Sequence, residues 1–205
     1  METLPGYLTG FLALLLFTAF VKIFTALNIL RFGLGLQGSG FGLVILGFSL
    51  ALSLLVMGPQ LEPLGGIEQV FRGQLPQDQQ ILEKTFRPFM EKNSDAELKA
   101  QLSLLADRLK GGKMSSKPGA AAVDPVPLTV LVPAFMISEL RDAFQIGFLV
   151  LVPFLILDLL VANILLALGT NQIPLQLVSL PLKILLFFAV DGWRLITEKI
   201  VGTYL

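Results

Sequence analysis

The chain of 205 residues contains no cysteine and no histidine. These absences exclude a disulfide framework, a thiolate nucleophile, a Cys/His zinc site and an imidazole ligand for haem. Serine–histidine catalysis is excluded as well, so any general base would have to be a carboxylate or a lysine. We expect neither a metal ion nor a cofactor.

Charged residues are also scarce, at 15% of the chain against about 25% in soluble domains. Hydrophobic residues make up 54%, and the mean hydropathy is +0.77. The charges are unevenly placed, because Arg31 and Glu62 bracket thirty uncharged residues. With 15 basic and 15 acidic residues the net charge is zero, which argues against a nucleic-acid partner. This composition predicts membrane-spanning segments and one polar insert.

Four apolar runs are long enough to cross a hydrocarbon core of about 30 Å, which takes about 20 residues. They cover roughly residues 4–30, 41–57, 143–168 and 175–196. Each run is predicted to be a helix, because lipid offers no partner for unpaired backbone groups. The first run lacks a basic amino end and exceeds a signal-peptide core in length, which favours a retained span. We expect Gly58-Pro59 to end the second run and Pro153 to kink the third.

The polar insert carries helix signals between residues 77 and 110, where leucine and phenylalanine recur at three- and four-residue spacings. This pattern predicts two short amphipathic helices, broken near residues 88–94. We expect Asn93 or Ser94 to begin the second helix, with Glu97 as a capping partner.

Residues 111–127 are rich in glycine, serine, alanine and proline, which predicts a flexible linker. The fold class that follows is an all-α integral membrane protein with four hydrophobic helices and a helical polar insert. Its predicted parts are an amino-terminal helix pair, the polar insert with its linker, and a carboxy-terminal helix pair, at residues 1–58, 59–127 and 128–205.

The glycines from Gly33 to Gly38 match the dinucleotide pattern G-x-G-x-x-G. That function needs a strand before the glycines and a helix after them. Here a predicted membrane helix precedes them, so a tight turn between the first two spans is the better explanation.

Four ionisable residues lie inside the predicted spans, and each is costly in lipid unless it is paired or faces protein or water. Lys183 and Asp191 are about 12 Å apart along a helix, too far for a direct bond, so their partners must lie elsewhere. A polar path or a buried assembly contact is favoured for Asp158 and Lys183. For Lys22 and Asp191, snorkelling to the interface is a plausible alternative.

Two other functions deserve comparison. A small ion-coupled transporter could use Asp158 and Lys183 as a proton relay, but such proteins usually contain an internal repeat, and the sequence has none. A membrane enzyme would need a polar catalytic group, and the one candidate is Ser138-Glu139 with Arg141-Asp142. These four residues are better explained as an assembly salt-bridge site, so we expect no enzymatic activity.

Several stretches strongly resemble the FliP/SctR family. The most specific are LVPAFMISELRDAFQIG at 131–147, PFLILDLLVANILLALG at 153–169 and LPLKILLFFAVDGW at 180–193. Shorter stretches at 20–24, 29–35, 56–59 and 86–90 are similar to the amino half of the family. The resemblance covers nearly the whole chain except residues 111–127.

The resemblance implies a core export-apparatus protein of flagellar or virulence type III secretion systems. Such a protein assembles in about five copies with FliQ/SctS-like and FliR/SctT-like membrane subunits, and the complex admits unfolded export substrates. It also implies a multi-pass protein of the bacterial inner membrane with a periplasmic insert, an orientation that the charge rule cannot fix for so long an insert. Flagellar members commonly carry a cleaved leader and a longer amino end, so the sequence slightly favours the injectisome branch.

One departure concerns the gate. After the glycine at position 169 the family usually has consecutive methionines that seal the pore, whereas this chain has Thr170, Asn171 and Gln172. A ring of these residues would seal less well than soft methionine side chains.

Buried charge or assembly contacts are expected at Lys22, Glu139, Arg141, Asp158, Lys183 and Asp191.

Overall fold

A computed structural model describes residues 18–36, 38–66, 68, 79–109, 126–170 and 172–205. Within these ranges the secondary structure is helical and contains no strand, which confirms the all-α prediction. The helices are α1 (Phe20–Leu34), α2 (Ser39–Leu61), a 3-10 turn (Glu62–Leu64), α3 (Gln79–Lys92), α4 (Ala96–Leu109), α5 (Leu128–Ala167), α6 (Leu175–Ala189) and α7 (Gly192–Gly202).

Two segments of the described chain are long and apolar enough to cross a membrane, namely Gly40–Leu64 and α5. Helices α6 and α7 make a third only if this bent pair forms one span. The first predicted span lies largely outside the described residues, and α1 is the part of it that is seen. The count of four spans therefore stays a prediction.

Two helix boundaries differ from the sequence prediction. Gly58-Pro59 does not end α2, which continues to Leu61 and into the 3-10 turn, because one proline removes a single backbone donor. The chain turns instead at Gly65, whose φ is 90° and whose N–H donates to the Glu62 carbonyl at 3.0 Å. Helix α5 begins well before residue 143 and runs unbroken through Pro153 for 40 residues.

The polar insert contains the two short helices expected from its pattern, α3 and α4. The predicted cap is wrong, however. The Asn93 amide and the Ser94 hydroxyl donate to the last carbonyls of α3, at Phe89 and Met90. The cap of α4 is Asp95, whose Oδ1 accepts the N–H groups of residues 97 and 98 at 2.8 and 3.3 Å.

Asp95→Ala is expected to lower the stability of α4 by about 1 kcal/mol, because two backbone N–H groups lose their acceptor. Hydrogen exchange of the α4 amides would measure the change. Asp95 Oδ2 also pairs with Arg141 at 3.1 Å, but the Arg141 side chain is 64% exposed. Arg141→Gln should therefore have a much smaller effect. Equal effects of the two substitutions would show that the ion pair, rather than the cap, matters.

The chain divides into two compact units. Unit one comprises residues 1–21 and 57–141, and unit two comprises residues 22–56 and 142–205. The two units are defined by compactness alone. They do not test the three parts expected from the sequence, which therefore stay a prediction.

The core of unit one joins α3 to the start of α5. Phe89 and Phe135 are both buried and pack edge to face, with ring centroids 5.8 Å apart. The Ser138 hydroxyl accepts the Asp95 N–H at 2.9 Å and donates to a carbonyl of its own helix. The Arg87 guanidinium donates to the carboxylates of Glu83 and Glu91 and to the Val126 carbonyl. The hydrogen bond to Glu83 is the main reason that the pKa of Arg87 is raised.

In unit two the turn between α1 and α2 has the geometry expected from its glycines. Gly35 has a φ of 79°, and its N–H donates to the Phe32 carbonyl at 3.0 Å. The Leu36 N–H donates to the Arg31 carbonyl at 3.1 Å, which completes a Schellman cap on α1. The Arg31 side chain then donates to the carbonyls of Leu36 and Gly38. Helix α1 includes Gly33 and precedes Gly35, as the turn hypothesis requires.

Candidate functional site

An ion pair between Asp158 of α5 and Lys183 of α6 lies in unit two. The Lys183 ammonium is 2.6 Å from Asp158 Oδ2 and donates to the Gly33 carbonyl of α1 at 2.9 Å. The Lys183 side chain is 7% exposed and that of Asp158 is 27% exposed. The partners of both charges therefore lie within one chain, and three helices meet at one ammonium group.

Gly33 makes this meeting possible in two ways. Its carbonyl is one of the last four of α1, which accept no hydrogen bond from within the helix. The Lys183 ammonium donates a hydrogen bond to it instead. A Cβ at this position would lie 2.6 Å from Cδ1 of Leu151 and 3.3 Å from the Phe154 ring. The absent side chain thus lets α1 approach α5 closely enough to bring the carbonyl to the ammonium.

A second buried cation lies at the start of α1. Lys22 is 1% exposed, and its ammonium is 3.0 Å from Asp142 Oδ2 and 3.3 Å from Thr203 Oγ1. The same group lies 4.2 Å from the centre of the Tyr204 ring, a cation–π distance. Lys22 is therefore enclosed by groups of its own chain.

Asp191, by contrast, lies at an exposed break in the last predicted span. Helices α6 and α7 meet there at 64°. Asp191 has a φ of 51°, the one positive φ at a non-glycine among the described residues. The predicted helix over residues 175–196 is therefore two helices, because the backbone at Asp191 is left-handed.

The predicted group Ser138-Glu139 with Arg141-Asp142 does not form one cluster. Ser138 and Arg141 both bind Asp95, whereas Asp142 binds Lys22. The Glu139 side chain is fully buried within the described part of the chain. The ion pairs of Arg141 and Asp142 therefore go to two different partners.

The gate candidates follow α5 in a second Schellman cap. Gly169 has a φ of 68°, and its N–H donates to the Leu166 carbonyl at 3.0 Å. The Thr170 N–H and hydroxyl both donate to the Leu165 carbonyl, at 3.0 and 3.1 Å. Gln172 is exposed, and Asn171 lies outside the described residues. The turn therefore uses the Thr170 hydroxyl locally and presents Gln172 outward.

Three important residues were missed by the sequence interpretation: Asp95, Thr203 and Tyr204. Asp95 could have been found, because aspartate directly before a helical run is a typical N-cap. Thr203 and Tyr204 carry no such signal, since Lys22 and Thr203 are 181 positions apart.

The comparisons with known proteins agree with the resemblance. The FliP family model matches residues 8–200. The chain is 34% identical to the flagellar biosynthetic protein FliP of Agrobacterium fabrum, over 93% of this chain and 77% of that protein. Identity is 34% to the FliP protein of Bacillus subtilis, with coverages of 93% and 84%, and 36% to that of Caulobacter vibrioides, with coverages of 91% and 68%.

These relatives carry flagellar names, which goes against the slight preference for the injectisome branch. The match extends over nearly the whole sequence. The Asp158–Lys183 pair and the glycine turns of this chain lie inside the matched range. The chain therefore belongs to the FliP family, whose named relatives are flagellar biosynthetic proteins.

Proposed function

We propose that this chain is a non-enzymatic subunit of a type III export gate in the bacterial inner membrane. About five copies, together with FliQ/SctS-like and FliR/SctT-like subunits, form the pore through which unfolded proteins are exported. Membership of a flagellar family supports the flagellar version of this apparatus.

The dimensions and exposure of α5 carry the proposal. Its 40 residues extend about 60 Å, and even a tilt of 40° places only about 39 Å of a helix inside a 30 Å core. Large exposed apolar side chains nevertheless occur from Ile137 to Leu168, along about 46 Å. Lipid cannot cover this whole length, and large apolar side chains exposed to water favour association. Neighbouring subunits are the cover that an assembled gate supplies.

The alternative, an ion-coupled transporter that uses Asp158 and Lys183, has less support. Lys183 is bound by one carboxylate and by the Gly33 carbonyl. A backbone carbonyl does not titrate, so it cannot pass a proton onward. The pair is better suited to holding three helices together.

Complementation tests the proposal. The chain would be expressed, with its own FliQ- and FliR-like subunits, in a flagellated bacterium that lacks its FliP-family protein. We expect secretion of an unfolded flagellar reporter to be restored. As a control, the Gly47→Ala variant should restore secretion as well as the parent chain does, because an added Cβ there meets no atom of the described residues within 4 Å. Stable expression of all three subunits without secretion would contradict the proposal.

The gate role of Thr170, Asn171 and Gln172 has its own test. Replacing all three with methionine is expected to reduce small-ion leakage through the assembled complex several-fold, because soft apolar side chains pack more tightly round a closed pore. Leakage would be measured in vesicles, with Gln101→Met in α4 as a control. Unchanged leakage would count against a position in the gate.

The periplasmic position of the insert can be tested because the chain contains no cysteine. A single cysteine at Gln101, an exposed position on α4, is expected to react in intact cells with a maleimide that crosses only the outer membrane. Labelling that requires lysis would place the insert on the cytoplasmic side.

A further inference from the structure

Helix α7 belongs to unit two, and contacts at both of its ends hold it against the rest of that unit. At its beginning the backbone changes direction by 64° at Asp191, where φ is 51° and ψ is 52°. An L-residue other than glycine occupies this left-handed conformation at an energetic cost. The link between α6 and α7 therefore consists of two residues, Val190 and the left-handed Asp191.

Aromatic rings pack against the helix beside this link. A Cβ on Gly192 would lie 2.2 Å from the Phe187 ring, so only glycine allows this contact. Trp193 packs edge-on against Phe187 at 5.2 Å and against Phe48 at 5.5 Å. These contacts fix the first turn of α7 and leave its position farther along to other groups.

The far end of α7 is held by Lys22. Thr203 and Tyr204 directly follow the helix and cover the ammonium with a hydroxyl at 3.3 Å and an aromatic face at 4.2 Å. The Thr203 hydroxyl also donates to the Ile200 carbonyl at 2.7 Å, so it joins the ammonium to the last turn. Asp142 supplies the counter-charge at 3.0 Å.

Between these ends, α7 has one apolar stripe. Ile196 and Ile200 are buried, whereas Arg194, Glu198 and Lys199 face outward and are exposed. When α7 moves, its outer side loses few contacts within the chain, because that side is exposed among the described residues. The inner contacts and the Lys22 site therefore determine whether it stays in place.

We propose that the part of α7 beyond Trp193 is a strap that opens and closes, and that Lys22 is the latch that keeps it closed. Closing buries a cation, and Thr203, Tyr204 and Asp142 are among the groups that compensate its burial. Loss of either α7-side group leaves the ammonium buried with fewer partners, and the cation regains water if the strap opens. This device goes beyond the gate function and operates within a single subunit.

A buried cysteine under the strap provides the test. Ile200 is 0% exposed, so Ile200→Cys in the otherwise cysteine-free chain reports opening through its reaction with a water-soluble maleimide. In the purified full chain in detergent, adding Tyr204→Leu is expected to speed labelling about tenfold, because the cation loses its aromatic face. Leu52→Cys, buried on α2, is the control whose labelling rate should stay constant.

A rescue variant separates the latch from simple packing. Lys22→Met combined with Tyr204→Leu removes the buried charge, so labelling at position 200 should return close to the parent rate. Hydrogen exchange of the α7 amides, measured without any added cysteine, should follow the same order. Equal rates in the parent and Tyr204→Leu, or fast rates that persist after Lys22→Met, would overturn the proposal.

Discussion

Asp158→Asn is expected to destabilise unit two by about 2–4 kcal/mol and to abolish secretion. Removing one partner of a buried ion pair leaves the other charge without its counter-ion, which typically costs about 3–5 kcal/mol. The lower range applies because the Asp158 side chain is partly exposed. Lys183 would retain the Gly33 carbonyl as an acceptor, but a neutral carbonyl does not compensate a full charge. Thermal unfolding in detergent and secretion of a reporter would measure the two effects.

A matched pair of variants identifies the cause. Asp158→Leu combined with Lys183→Met removes both charges and should recover most of the lost stability, because no ion is then buried. Arg194 and Glu198 form an ion pair of similar length, 2.7 Å, on the exposed side of α7. Arg194→Gln should leave unfolding unchanged. If Asp158→Asn were as stable as the parent, the ion pair would not hold the three helices together.

Gly147→Ala is expected to destabilise the contact between α1 and α5 by about 1–3 kcal/mol through overpacking. The added Cβ would lie 2.6, 2.9 and 3.0 Å from three side-chain atoms of Ile29. One of them is the Ile29 Cβ, which the backbone fixes, so rotation of the side chain cannot remove the clash. Close helix approach at small residues is a common basis of packing in membrane proteins.

Space made on the opposite helix should rescue this variant. Ile29→Ala combined with Gly147→Ala is expected to be more stable than Gly147→Ala alone, as measured by unfolding in detergent. Gly58→Ala is the control, because a Cβ there meets no atom of the described chain within 4 Å. Destabilisation of the control to the same extent would attribute the effect to glycine replacement in general.

The helical insert and the α1–α2 turn could be predicted because their signals are local. Leucine spacing identifies an amphipathic helix wherever it packs, and glycine after α1 readily adopts the positive φ that a tight turn needs. The break at Asp191 also had a local signal, since the Asp191-Gly192 dipeptide is typical of turns. Continuous apolar sequence on both sides concealed it.

The partners of the buried charges could not be predicted, because they are distant in the sequence. Asp158 and Lys183 are 25 positions apart, and the third group at this site is a backbone carbonyl on α1. Composition gives the cost of an unpaired charge and therefore predicts that a partner exists. Only the crossing of helices at Gly33 determines which partner it is.

Native mass spectrometry of the complex tests the central claim most directly. The chain would be co-expressed with its FliQ- and FliR-like subunits, purified in detergent through a tag on this chain and weighed intact. We predict one dominant species that contains about five copies of this chain together with both smaller partners. A chain that purifies as a monomer in the presence of both partners, and that moves ions across a membrane by itself, would contradict the account.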